Sequence, residues 1–141
     1  MAVLHFLSLL SLADHPGDSA AAFHVASSPL AASVGLTRSG FRTELEETAR
    51  VVRRRLALEG TGAFATSFLP VVEANYGTWD RRRFRQLVDL AHSFEPRAGL
   101  RADRFVDHVR ATKVEDPSAT QVQVMTVHQA KGLEFDAVIL P

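Results

Sequence analysis

Between Val3 and Ala13 the chain reads VLHFLSLLSLA, a run that is apolar almost all the way round the helix it would form. Leu4, Leu7 and Leu10 fall on one side, with Leu9 and Leu12 beside them, so no face is left for water and other elements must cover this segment. The opening has no basic leader and is too short to span a bilayer, so it reads as a buried helix and not as a signal or membrane segment. Whatever the rest of the chain does, it has to build around this helix.

The following segments read as further helices. DHPGD ends the first, Asp18 or Ser19 can accept from the free N–H groups of a second helix through AAAFHVA, and Pro29 disfavours helix at the residue before it. In TELEETARVVRRRLALEG, Thr43 and Glu46 have capping-box spacing; Leu45, Ala49, Val52 and Leu56 share one face, and Gly60 is a plausible terminator. Pro70 predicts a break near Leu69 in the next helical stretch. TWDRRRFRQLVDLAHSFEP starts at Thr78 or Asp80 and carries the stripe Phe84, Leu87, Val88, Ala91, Phe94; a last helix runs from about Ala102 to Thr112, with Phe105, Val106 and Val109 inward.

Composition excludes little and guides less. The chain has 141 residues, enough for one ordinary domain with a real core. Its 16 basic and 16 acidic residues cancel, so nucleic-acid binding would have to be a local property. Only Lys113 and Lys131 are lysines, and arginine supplies the remaining positive charge. There is no cysteine, hence no disulfide framework, thiolate metal site or cysteine nucleophile, which fits a reducing cytoplasm. No two of the six histidines have the i, i+4 spacing of a helical zinc site, and no metal is expected.

After VEDPSATQ the period changes. Residues 122–127 read as a buried strand, HQAKGLEFD as a polar turn and residues 137–140 as a second strand, so the expected class is mainly α with a small parallel β element, an α/β arrangement. A strand that ends in a turn and opens a short helix presents free N–H groups that attract phosphate oxygens. Thr126, His128 and Lys131 add a hydroxyl, an imidazole and an ammonium there, Gly132 lets the backbone bend, and Glu134 would accept from sugar hydroxyls or from a cation. Residues of these types also suit an ordinary solvated loop.

The stretch VQVMTVHQAKGLEFDAVILP resembles the fifth conserved motif of the UvrD/Rep/RecB group of superfamily 1 DNA helicases: an apolar strand, T-x-H-x-x-K-G-L-E-F, then a second apolar strand. More weakly, FLSLLSLADHPGDSAAAFHVASSPL is similar to the helical stretch after the fourth motif, and RRRFRQLVDLAHSFE to a helix of the family's inserted domain. RADRFVDHV together with the motif resembles the RecB/AddA-like helicase-nuclease branch. The resemblance implies that residues 1–28 and 118–141 are two pieces of a RecA-like motor domain, with a helical, 2B-type insertion at 29–117.

It also implies roles. Thr126 and His128 match positions that touch single-stranded DNA, while Lys131, Gly132 and Glu134 match the segment that couples the strand to the bound nucleotide. ATP and Mg²⁺ are implied for the parent protein, but this sequence has no G-x-x-x-x-G-K-[ST] loop and no arginine-bearing sixth motif, so neither is expected on this chain alone. It is expected to be an inactive fragment of an ATP-dependent helicase. The expected partners are single-stranded and duplex DNA, the missing N-terminal motor domain, a helicase-nuclease subunit, and a second copy docked through an open sheet edge.

Other features have mainly structural readings. The Arg53–Arg55 and Arg81–Arg83 runs could meet DNA phosphates, but nearby acids favour a solvated, salt-bridged face. Trp79 and Tyr76 could stack on bases, yet beside a helix start they read as core or staple residues, and His24, His92 and His108 read as structural. A free-standing helical interaction module that keeps the motif as a vestige is the alternative to the helicase reading.

Overall fold

The computed structural model describes residues 1–36, 43–94 and 101–112, together with Thr126, His128 and Lys131. Six α-helices and one 3₁₀ turn follow one another among them: α1 (Ala2–Asp14), α2 (Ser19–Ala26), the turn Ala31–Val34, α3 (Thr43–Thr66), α4 (Leu69–Asn75), α5 (Thr78–Phe94) and α6 (Asp103–Ala111). Their limits have local causes. Asp18 caps α2 by accepting from the N–H groups of Ala20 and Ala21. Gly60 sits inside α3 at φ 79° and ψ 164°, a region that side chains rarely enter, and it splits the element into two helical halves. Pro70 stands in the first turn of α4, where its missing N–H costs nothing, and Ser67 and Phe68 form the break before it. The expected pairing of Thr43 with Glu46 rests on the Thr43 side chain, which lies outside the described residues.

The apolar run at the start of the chain does what its pattern requires. α1 packs against α2, α3, α5 and α6, and seven of its residues are buried. Phe6, fully buried, is the centre of an aromatic cluster that ties three helices together. Its ring lies 5.8 Å from Phe64 of α3, 5.4 Å from Phe68 and 5.5 Å from Phe84 of α5, the last two edge to face. The α5 stripe is buried at all five expected positions, and Phe94 carries it on to α6 through Phe105 at 5.3 Å and His108 at 5.0 Å.

The α/β expectation is corrected by this architecture. The described residues form an all-helical domain, with no strand among them. The expected strands at 122–127 and 137–140 lie outside the described residues except for Thr126, which belongs to no element, and His128 is helical, in keeping with the reading of a turn that opens a short helix. Two parallel strands are marginal without further strands beside them. The apolar first helix takes its cover from other helices.

Helix ends are tied by side chains distant in sequence. Asp80 of α5 accepts from the N–H of Ala2 at 3.0 Å and from the Met1 amino group, and so caps the start of α1. At the other end, Arg53 of α3 donates to the carbonyl of Ala13. Asp14 accepts from the N–H of Asp103 at 2.8 Å, which caps α6 in turn.

Candidate nucleic-acid interface

Of the five residues singled out in the fifth-motif stretch, three are described, and all three are at the surface. Thr126 is exposed, His128 is exposed in a helical turn, and Lys131 is exposed in a turn three residues further on. Gly132 and Glu134 lie outside the described residues. A hydroxyl, an imidazole and an ammonium thus stand exposed within six residues of sequence, a set that can donate to phosphate oxygens or base edges.

The arginine runs are largely engaged within the protein. Arg55 makes a forked pair with Glu59 at 2.8 and 2.9 Å, and its guanidinium stacks over Phe64 at 4.8 Å from the ring centre. That hydrogen bond raises Arg55 above the usual guanidinium range and lowers Glu59 below the usual carboxylate range. Arg81 donates to the Tyr76 carbonyl at 2.6 Å, while Arg85 pairs with Glu73 at 2.6 Å. The expected salt-bridged faces are present: Arg55 pairs with its neighbour Glu59, while Asp80, beside the second run, is used on α1 and not on an arginine.

Trp79 departs from the core reading. It is 51% exposed, with the Arg83 guanidinium 5.4 Å from its ring. It forms one wall of a groove of about 440 Å³ between α1, α5 and α6, whose floor includes Val3, Leu4, Leu87 and Val109. Sequence reasoning missed this groove because Trp79 sits beside a helix start, where aromatics commonly pack inward. Leu4 beside it is half exposed although the apolar pattern of α1 leaves no face for water, so no pattern in the sequence marked the groove. The histidines behave as structural residues: Thr66 Oγ1 meets His92 Nε2 at 3.0 Å, and Ser8 Oγ meets His24 Nδ1 at 2.7 Å.

Residues 77–141 match the UvrD-like helicase C-terminal domain. The matched span opens one residue before α5 and takes in α6 and the whole of TVHQAKGLEF. No curated protein and no solved structure matches the chain. Over that span, 65 of the 141 residues, the chain is similar to the C-terminal domain of UvrD-like helicases, and the span includes α5 and α6, which pack on α1, and the segment bearing Thr126, His128 and Lys131. Among the described residues no helix is long and apolar enough to cross a membrane.

Proposed function

We propose that the chain contributes the single-strand contact of a UvrD-like DNA helicase, with Thr126 and His128 touching the DNA and Lys131, Gly132 and Glu134 linking that contact to nucleotide-driven movement. The observation that carries this reading is the family match across the complete TVHQAKGLEF stretch, together with the exposure of its three described residues. On this reading residues 29–117 are the helical insertion and residues 1–28 and 118–141 its flanks. The RecB/AddA-like branch, with roles in repair or recombination, is the finer assignment and rests on the RADRFVDHV segment.

ATP and Mg²⁺ belong to the parent motor on this reading. The sequence of the present chain has no P-loop to cradle them.

One observation favours a second reading, a helical interaction module: α1 to α6 share a single core without any sheet among the described residues. Fluorescence anisotropy of a labelled oligothymidylate separates the two. The helicase reading expects salt-sensitive binding by the full chain, weakened by a factor on the order of ten in His128→Ala. Binding that His128→Ala and Thr126→Val both leave unchanged, or no binding by a folded chain, would overturn it.

A further inference from the structure

A cluster of part-buried polar groups joins α1 to α2 and to the junction of α4 and α5. His5 Nδ1 lies 2.7 Å from the Tyr76 hydroxyl, Ser8 Oγ lies 2.7 Å from His24 Nδ1, and the two imidazole rings meet edge on with centres 4.5 Å apart. His5 and Ser8 belong to α1, His24 to α2, and Tyr76 to the junction of α4 and α5. We propose that His5 and His24 form a proton-controlled latch, which holds α2 on α1 at neutral pH and releases it when both imidazoles are protonated.

The hydrogen bonds tolerate either state, since each hydroxyl can donate to a neutral ring nitrogen or accept from a protonated one. The ring-to-ring contact does not, because two imidazolium charges at this separation repel in a half-buried site. The surroundings bias His5 towards the neutral form: burial lowers its pKa most, then His24 and the Met1 ammonium, against the opposing pull of Asp80 from α5. Arg81, the other charge of α5 at this place, donates to the Tyr76 carbonyl and is 3.8 Å from Glu73 of α4. Asp14, Arg53 and Asp103 sit at the far end of α1, about 13 Å from His5 along the helix axis, and Asp18 is occupied as the N-cap at the opposite end of α2.

The element that responds is α2. It has eight residues, too few to persist as an isolated helix, and it is anchored by the small side chains Ala21, Ala22 and Val25, while Phe23 is 67% exposed. So modest a docking surface gives way to a like-charge pair more readily than the aromatic core around Phe6 does.

Amide hydrogen exchange on the full chain, expressed as protection factors between about pH 7.5 and about pH 5 where imidazoles titrate, tests the latch. The expected result is loss of protection in α2 on acidification while α5 keeps its protection, and disappearance of that response in His24→Gln. An α2 protection that follows α5 throughout, or an unaltered acid response in His24→Gln, would overturn the proposal. If His24→Gln does not fold, the imidazole C–H shifts of the unsubstituted chain decide: two separated steps support the latch, and independent titration of both rings at one midpoint refutes it.

Discussion

The side chain of Asp14, at the end of α1, accepts a hydrogen bond of 2.8 Å from the backbone N–H of Asp103, 89 positions later, at the start of α6. The residue before α6 is Ala102, which has no side-chain oxygen, so the helix takes its N-terminal acceptor from another part of the fold. Asp14→Ala is expected to lower stability by about 1 kcal/mol, the usual cost of a lost cap, whereas Asp14→Asn, which keeps an acceptor, should cost less. Urea unfolding of the two variants checks both values, and equal losses would show that the carboxylate charge and not the acceptor is what matters.

Two glycines two residues apart are expected to respond differently to the same substitution. Gly60 has φ 79°, so Gly60→Ala forces a strained backbone and should cost roughly 1–3 kcal/mol. Gly62 is helical, and an alanine Cβ there would collide with the His92 ring at Nδ1. Displacing that imidazole breaks its contact with Thr66, which offsets the gain of about 1 kcal/mol that alanine brings to a helix. Gly62→Ala combined with His92→Ala removes the clash and should therefore be more stable than Gly62→Ala alone, as thermal melts of the three variants can show.

The helices were legible in the sequence because their causes are local. The five-residue stripe on α5, the Asp18 cap, the Gly60 break and the Pro70 break each depend on a few neighbouring residues, and each stands where the pattern placed it. What was not legible came from distant partners. Asp80 reads as a candidate start of α5 and Arg53 as part of a salt-bridged run, and nothing local marks Asp14, yet all three tie the ends of α1 and α6, because the free groups at a helix end pair with any suitable side chain the fold brings near. The β reading failed for a related reason: alternation and β-branched residues show what could form a strand, while a sheet needs partners that no local pattern supplies. In the candidate site, Thr126, His128 and Lys131 are exposed, Thr126 against its reading as part of a buried strand, and Gly132 and Glu134 lie outside the described residues.

Phe6 is fully buried against Phe64, Phe68 and Phe84. Phe6→Ala is expected to cost about 3–5 kcal/mol through lost burial and the cavity left between α1, α3 and α5. Leu58 is a control of the same chemical kind in the opposite environment. It is 74% exposed, and Leu58→Ala should stay within about 0.5 kcal/mol of the unsubstituted chain. Comparable losses in both variants, measured by chemical denaturation, would contradict the packing of α1 around Phe6.

Tyr76 provides an alkaline counterpart that can be followed without any substitution, since it is the single tyrosine of the chain. Burial, and then the nearby Asp80 carboxylate, push its hydroxyl from 10.0 up to about 12. An acid whose pKa is raised by folding stays neutral in the native state while the unfolded chain already ionises. The associated stability is thus complete below about pH 10 and is lost as pH rises from there towards 12. Tyrosinate absorbance of the native chain should show a midpoint well above that of the chain in denaturant, and Asp80→Asn should bring the native midpoint down part of the way by removing the carboxylate while leaving the burial. A native midpoint equal to the denatured one would mean that the phenol is not held against His5.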